Sequence, residues 1–193
     1  MDGAQQLDVL IPQIQVVVDG ISADQIDAPT VCANFTVRGV LEHMMGGVTA
    51  FAPAFRGVAG VPGEPTAGLD AEALKARWTV SMADLIDAVH SPGADERMIA
   101  SPMGEVPGAA FARFVVFDGL VHGWDLATAT GQSYAPVDEL VDEVAAFAHQ
   151  ALAPEMRDGD VFAAETEVPA DASPLERLVA FSGRRLPTDG ATR

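Results

Sequence analysis

The stretch that most constrains this chain runs from about Ala109 to Thr130 and closes on Gly131, a residue suited to ending a helix. At its centre, Phe117-Asp118-Gly119-Leu120-Val121-His122-Gly123-Trp124-Asp125-Leu126-Ala127 places a carboxylate and an imidazole four residues apart in apolar surroundings. On a helix, residues i and i+4 share one face, one turn apart, so Asp118 and His122 can point at a single object. A helix this apolar is expected to lie at least partly inside the protein, where a lone carboxylate needs a cation, a donor or a metal. A second imidazole, His43, sits in another apolar run, Val40-Leu41-Glu42-His43-Met44-Met45.

Five further segments read as helices. Leu7, Leu10, Ile11, Ile14 and Val17-Val18 have helical spacing, with Gly20 as the stop. Thr36 can cap a second helix through His43 to Phe51 or Arg56, with Pro53 predicting a kink or an early end. Asp70 can cap a third, with Leu74, Trp78, Met82, Leu85, Ile86 and Val89 on one face and Ser91-Pro92-Gly93 ending it. A fifth runs from Val137 to about Leu152, and Ser173-Pro174 opens a short last one to Phe181. Gly57 to Gly68 is a Gly- and Pro-rich loop. Ser101-Pro102-Met103-Gly104 is a turn signal that predicts a small hairpin or an extended loop, and Val161 to Val168 can be extended. No βαβ alternation and no internal repeat is present. The expectation is a mainly all-α single domain over residues 1–193: a four-helix bundle with long connections, a short hairpin and a short C-terminal helix.

Composition narrows the function. With 28 acidic and 11 basic residues, the formal charge is −17, which would repel phosphate backbones and anionic membranes. Nucleic acid and membrane are therefore not expected partners. The N-terminus lacks the positive region and apolar stretch of a signal peptide, and no apolar run is long enough to span a bilayer. Cys32 is the only cysteine, so no intrachain disulfide can form. The expected location is the reducing cytoplasm.

Two readings of the central residues stand side by side. His43, Asp118 and His122 could form a three-ligand metal site with open positions, the pattern of a catalytic centre. They could equally be core groups satisfied by hydrogen bonds. Gly119, Gly123, Gly46 and Gly47 mean either close helix packing or room for a ligand. Asp125, three residues after His122, either orients that imidazole or is solvated. His90 and His149 read as surface residues near helix ends. Cys32, with no basic neighbour to favour its thiolate, reads as a buried structural thiol, the alternative being a redox-active thiol near the site, and Met44 and Met45 read as core. No phosphate-binding glycine loop and no Gly-x-Ser-x-Gly elbow occurs.

Four segments carry a family resemblance: Thr30-Val31-Cys32-Ala33-Asn34-Phe35-Thr36-Val37-Arg38, Leu41-Glu42-His43-Met44-Met45-Gly46-Gly47, Asp118 through Gly131, and Leu175-Glu176-Arg177-Leu178-Val179-Ala180-Phe181-Ser182-Gly183-Arg184. Together they resemble the actinobacterial metal-binding proteins related to mycothiol-dependent maleylpyruvate isomerase, within the wider DinB-like superfamily. The resemblance spans about residues 5 to 186, and the His-Gly-Trp-Asp-Leu-Ala segment is its most specific part. It implies a DinB-like four-helix bundle holding a divalent metal on His43, Asp118 (glutamate in the isomerase) and His122. It also implies an enzyme of transferase or isomerase type with mycothiol or a similar low-molecular-weight thiol as co-substrate. Zinc suits that ligand set, with nickel, iron and manganese as alternatives. The alternative is a non-catalytic metal- or small-molecule-binding protein of the same fold. A homodimer is compatible with either. Two departures argue against maleylpyruvate itself as substrate. Asn34-Phe35 stands where the family has Gly-Trp, and a short terminal helix stands where the isomerase has a substantial C-terminal domain.

Overall fold

A computed structural model describes residues 1–101, 104–152, 157 and 163–187. Among them are six helices and one two-stranded sheet. In chain order these are α1 (Gly3–Gly20), α2 (Val37–Arg56), α3 (Ala71–Val89), β1 (Met98–Ser101), β2 (Gly104–Pro107), α4 (Gly108–Thr130), α5 (Asp138–Ala151) and α6 (Pro174–Phe181). Helices α1 to α4 form the bundle: α1 packs on α4 and α3, and α2 packs on α3 and α4. α5 lies against α4, and α6 joins α5 and α4. This is the mainly helical architecture the sequence predicts.

The helix starts follow from side chains that satisfy free backbone N–H groups. Asp2 accepts from Gln5 N–H, and the Gln5 side chain accepts from Asp2 N–H, a reciprocal cap on α1. Thr36 caps α2 and Asp70 caps α3. Ser173 and Glu176 form a second reciprocal cap on α6. α2 and α4 end on Gly57 (φ 68°) and Gly131 (φ 69°), where a side chain would oppose the left-handed turn.

Pro53 neither stops nor ends α2 early; the helix continues to Arg56. Pro53 lies in the last turn, so its missing N–H removes a single bond. Ala52 and Phe55 beside it are buried, which holds that turn in the core. Pro12 sits in the middle of α1, flanked by buried Leu10 and Ile14. The hairpin is present as an antiparallel pair with Ile99 opposite Val106; its turn residues Pro102 and Met103 lie outside the described residues, as do Pro154, expected from the sequence to end the fifth helix, 161–162 of the stretch expected to be extended, and the tail from residue 188. Residues 163–168 form no strand.

α4 is buried on nearly all sides, from Phe111 through Thr130. A helix apolar all round belongs at the centre of a structure, and this one touches α1, α2, α5, α6 and both strands. Of the polar groups in the centre of α4, His122 and Asp125 are buried and Asp118 opens toward the cavities beside them, which fixes where chemistry can happen.

Candidate metal centre

α4 brings Asp118 and His122 to one face, and α2 brings His43 to meet them. His43 Nε2 lies 3.4 Å from Asp118 Oδ2, and His122 Nε2 lies 3.4 Å from Asp118 Oδ1. One donor atom from each residue falls within 4.8 Å of the others. A metal held by nitrogen and oxygen at ~2.0–2.2 Å in a tetrahedron separates its donors by ~3.4 Å. Each imidazole stands at that separation from the Asp118 carboxylate, one on each of its two oxygens. The three side chains are close enough together to hold one metal ion between them.

Exposure divides the trio. The His122 side chain is 4% exposed, whereas those of His43 and Asp118 are 40% and 49% exposed, toward two cavities. The rings of His43 and His122 stand 4.9 Å apart, and Phe35 packs against both, at 5.1 Å and 6.0 Å. Phe35 therefore shields the imidazoles from one direction.

Behind His122 stands a second layer. Its Nδ1 lies 2.9 Å from Asp125 Oδ2, and Asp125 is wholly buried. Arg184, from the turn after α6, reaches the same carboxylate at 3.1 Å. Nδ1–H donates to Asp125, so the proton that a metal would displace is the one on Nε2, which faces Asp118 and His43. Asp125 is thus an orienting carboxylate and not a solvated one.

The charges in the metal-free site reinforce this picture. Burial alone would lower the His122 pKa, but the Asp118 charge and hydrogen bonds to Asp118 and Asp125 outweigh it and raise it to about 10. Burial alone would raise the Asp118 carboxyl; the charge and hydrogen bond of His122, joined by those of His43, outweigh it and hold it far below the ordinary carboxylate range. In the metal-free site the protonated His122 thus supplies the positive charge that balances Asp118.

Two cavities meet at His43 and Asp118. One, of about 460 Å³, has a mixed wall that includes Cys32, Asn34, His122, Ser182 and Arg184. The other, of about 190 Å³, is walled by aliphatic and aromatic side chains of α1 to α4.

The remaining candidates sort clearly. Cys32 is half-buried in the wall of the larger cavity, a correction to its reading as a buried structural thiol: residues 31–35 line the site, while Ile26 earlier in the same connection packs in the core. His90 is at the surface, paired with Asp8 at 3.0 Å, and His149 stacks on Phe181 outside the site. Met44 and Met45 are core. Arg38 is spent on Asp27 and the Leu69 carbonyl, and Arg113 reaches the Met1 carbonyl and the Phe147 ring. Gly119 and Gly123 serve close packing: a Cβ at Gly119 would lie 3.1 Å from Leu10, and one at Gly123 2.6 Å from the Tyr134 ring. A Cβ at Gly46 or Gly47 would meet nothing within 4 Å. The residue sequence reasoning missed is Arg184. The signal was the buried Asp125, which had to have a cation; that cation comes from 59 residues further along the chain.

Comparison with known proteins places this geometry in context. Residues 12–127 match the family described as the mycothiol maleylpyruvate isomerase N-terminal domain. That span contains His43, Asp118, His122 and Asp125. Two uncharacterized proteins from two strains of Mycobacterium tuberculosis are each 36% identical over 170 residues, covering 86% of this chain and 88% of theirs. No solved structure gave a significant match. The matched span, the bundle and the long alignment to actinobacterial relatives agree, and this chain belongs to the mycothiol maleylpyruvate isomerase N-terminal domain family.

Proposed function

We propose that this protein binds one divalent metal ion on His43, Asp118 and His122 and is an enzyme that uses a low-molecular-weight thiol such as mycothiol in a transfer or isomerisation reaction. Zinc fits two imidazoles and one carboxylate best. The observation that carries the reading is the convergence of these three donors from two helices at the mouth of an open cavity. When bound, such a metal lowers the pKa of a thiol and so supplies a nucleophile at neutral pH.

The chain's own residues supply the rest. Asp125 fixes the His122 ring and its tautomer, and Arg184 balances the Asp125 charge in a place where an unpaired carboxylate would be costly. Phe35 keeps water from one side of both imidazoles. Asn34, Ser182 and Arg184 offer polar contacts along a cavity of about 460 Å³, within the size range of small-molecule sites. Cys32 and Arg184 in that wall favour an enzyme over a passive metal store, whose cavity would need only ligands and apolar lining.

The test is cobalt-loaded protein titrated with mycothiol. A sulfur-to-cobalt charge-transfer band in the near ultraviolet is the expected result. Loaded cobalt without any spectral response to the thiol would leave the non-catalytic metal-binding reading in its place.

A further inference from the structure

The smaller cavity is built differently from the larger one. It lies between α1, α2, α3 and α4, with Ile11, Met44, Phe51, Met82, Phe111 and Val115 in its wall. Of all its lining residues, only His43 and Asp118 are ionisable, and these are the two it shares with the larger cavity. Its volume is about 190 Å³. Apolar cavities of roughly 150 Å³ lined by Leu, Ile and Phe stay dry and take up benzene. Gly47 is part of the wall, and the space its side chain would fill is empty. A glycine in mid-helix costs ~1 kcal/mol against alanine, so its presence beside open space keeps volume free at a cost in helix stability.

We infer that this cavity is the acceptor pocket: it binds a compact, uncharged, apolar electrophile, one ring or a short hydrocarbon chain in size, with its reactive carbon toward His43 and Asp118. The thiol approaches from the polar cavity on the other side of the same two residues. Away from His43 and Asp118 the wall offers no cation, so a carboxylate seated in the depth of the pocket is selected against. With an epoxide of this size the reaction balances without any further reagent. A C–S bond forms, a C–O bond of the ring breaks, and the thiol proton ends on the released oxygen.

What the guest does rests on the thiol-transfer reading; that the pocket binds it does not. The experiment is therefore an NMR titration of full-length, zinc-loaded protein carrying 13C-methyl methionine. Toluene is the neutral probe and benzoate the charged one. Toluene should shift the Met44 and Met82 methyl signals in a saturable way, and benzoate should leave them in place. Gly47→Leu should abolish the toluene shifts while zinc stoichiometry stays the same. Unshifted Met44 and Met82 signals up to the solubility limit of toluene would overturn the inference, and the wild-type titration decides this without the variant. Equal shifts with benzoate would overturn it too. Toluene binding without any thiol response in the cobalt experiment would instead sink the transfer reading and leave the pocket standing.

Discussion

Replacing Asp125 by asparagine removes a charge that holds His122 and Arg184 together. Asp125 is 0% exposed, and the side chains it joins are 4% and 15% exposed. An asparagine amide can accept from one of them but presents N–H to the other, so one buried donor loses its partner. Breaking a buried charge pair costs ~3–5 kcal/mol, and the partial exposure of Arg184 places this case near the lower value. For a chain of this length, each kcal/mol moves Tm by ~2–4 °C, so metal-free Asp125→Asn should melt ~6–12 °C below wild type. Loss of a carboxylate behind a ligating imidazole typically weakens metal binding ~10–100-fold, or ~1.4–2.7 kcal/mol. Asp125 also stabilises the proton that zinc must displace from His122. The affinity loss should therefore be smaller at pH 7 than near pH 10, where His122 is already half deprotonated. The assay is zinc competition against a chromophoric chelator across that pH range, beside thermal unfolding of the metal-free protein by circular dichroism. Wild-type zinc affinity at both ends of the range, with an unchanged Tm, would refute the orienting role.

Other predictions follow from the same geometry. His122 has a folded pKa of about 10, raised from 6.5, so its contribution to metal-free stability is complete below pH 6.5 and is lost as pH rises toward 10. Unfolding midpoints of the metal-free protein should fall over that window, and His122→Gln should flatten the profile. Zinc uptake at pH 7.5 should release about one proton from His122, read as the dependence of calorimetric heat on buffer ionisation enthalpy; buffer-independent heat would contradict the assignment. Gly47→Ala meets open space and should raise stability by ~0.5–1 kcal/mol in urea unfolding. Gly108→Ala, whose Cβ would land on the Ala94 carbonyl oxygen, should lower it by ~1–3 kcal/mol or more.

The helices were legible because their signals are local. Apolar spacing set α1 and α3, and Thr36, Asp70, Ser173 and Gly131 marked ends that the structure keeps. Asp118 and His122 were legible as a pair for the same reason, since four residues on a helix is a fixed distance. Their meeting with His43 was not a local fact. It depends on how α2 packs on α4, and the residues alone left it beside an ordinary core reading. The Asp125–Arg184 contact was less legible still, because a charge pair across the fold leaves no periodic trace. Phe51 and Arg56 stayed open as ends of α2 because the cost of Pro53 depends on how firmly Phe55 is buried, which only packing reveals. Cys32 was misplaced because an irregular segment carries no periodicity from which to judge which way it faces.

The central claim is that three side chains from α2 and α4 hold one metal ion. Its most direct test is elemental analysis after equilibrium dialysis against zinc, on wild type, His43→Ala, Asp118→Asn and His122→Ala prepared without a metal-affinity tag. The account predicts about one zinc per wild-type chain, weakened retention in Asp118→Asn and none retained in His43→Ala or His122→Ala, with helical content kept. No zinc in the wild type, or a full equivalent kept by His122→Ala, would contradict it.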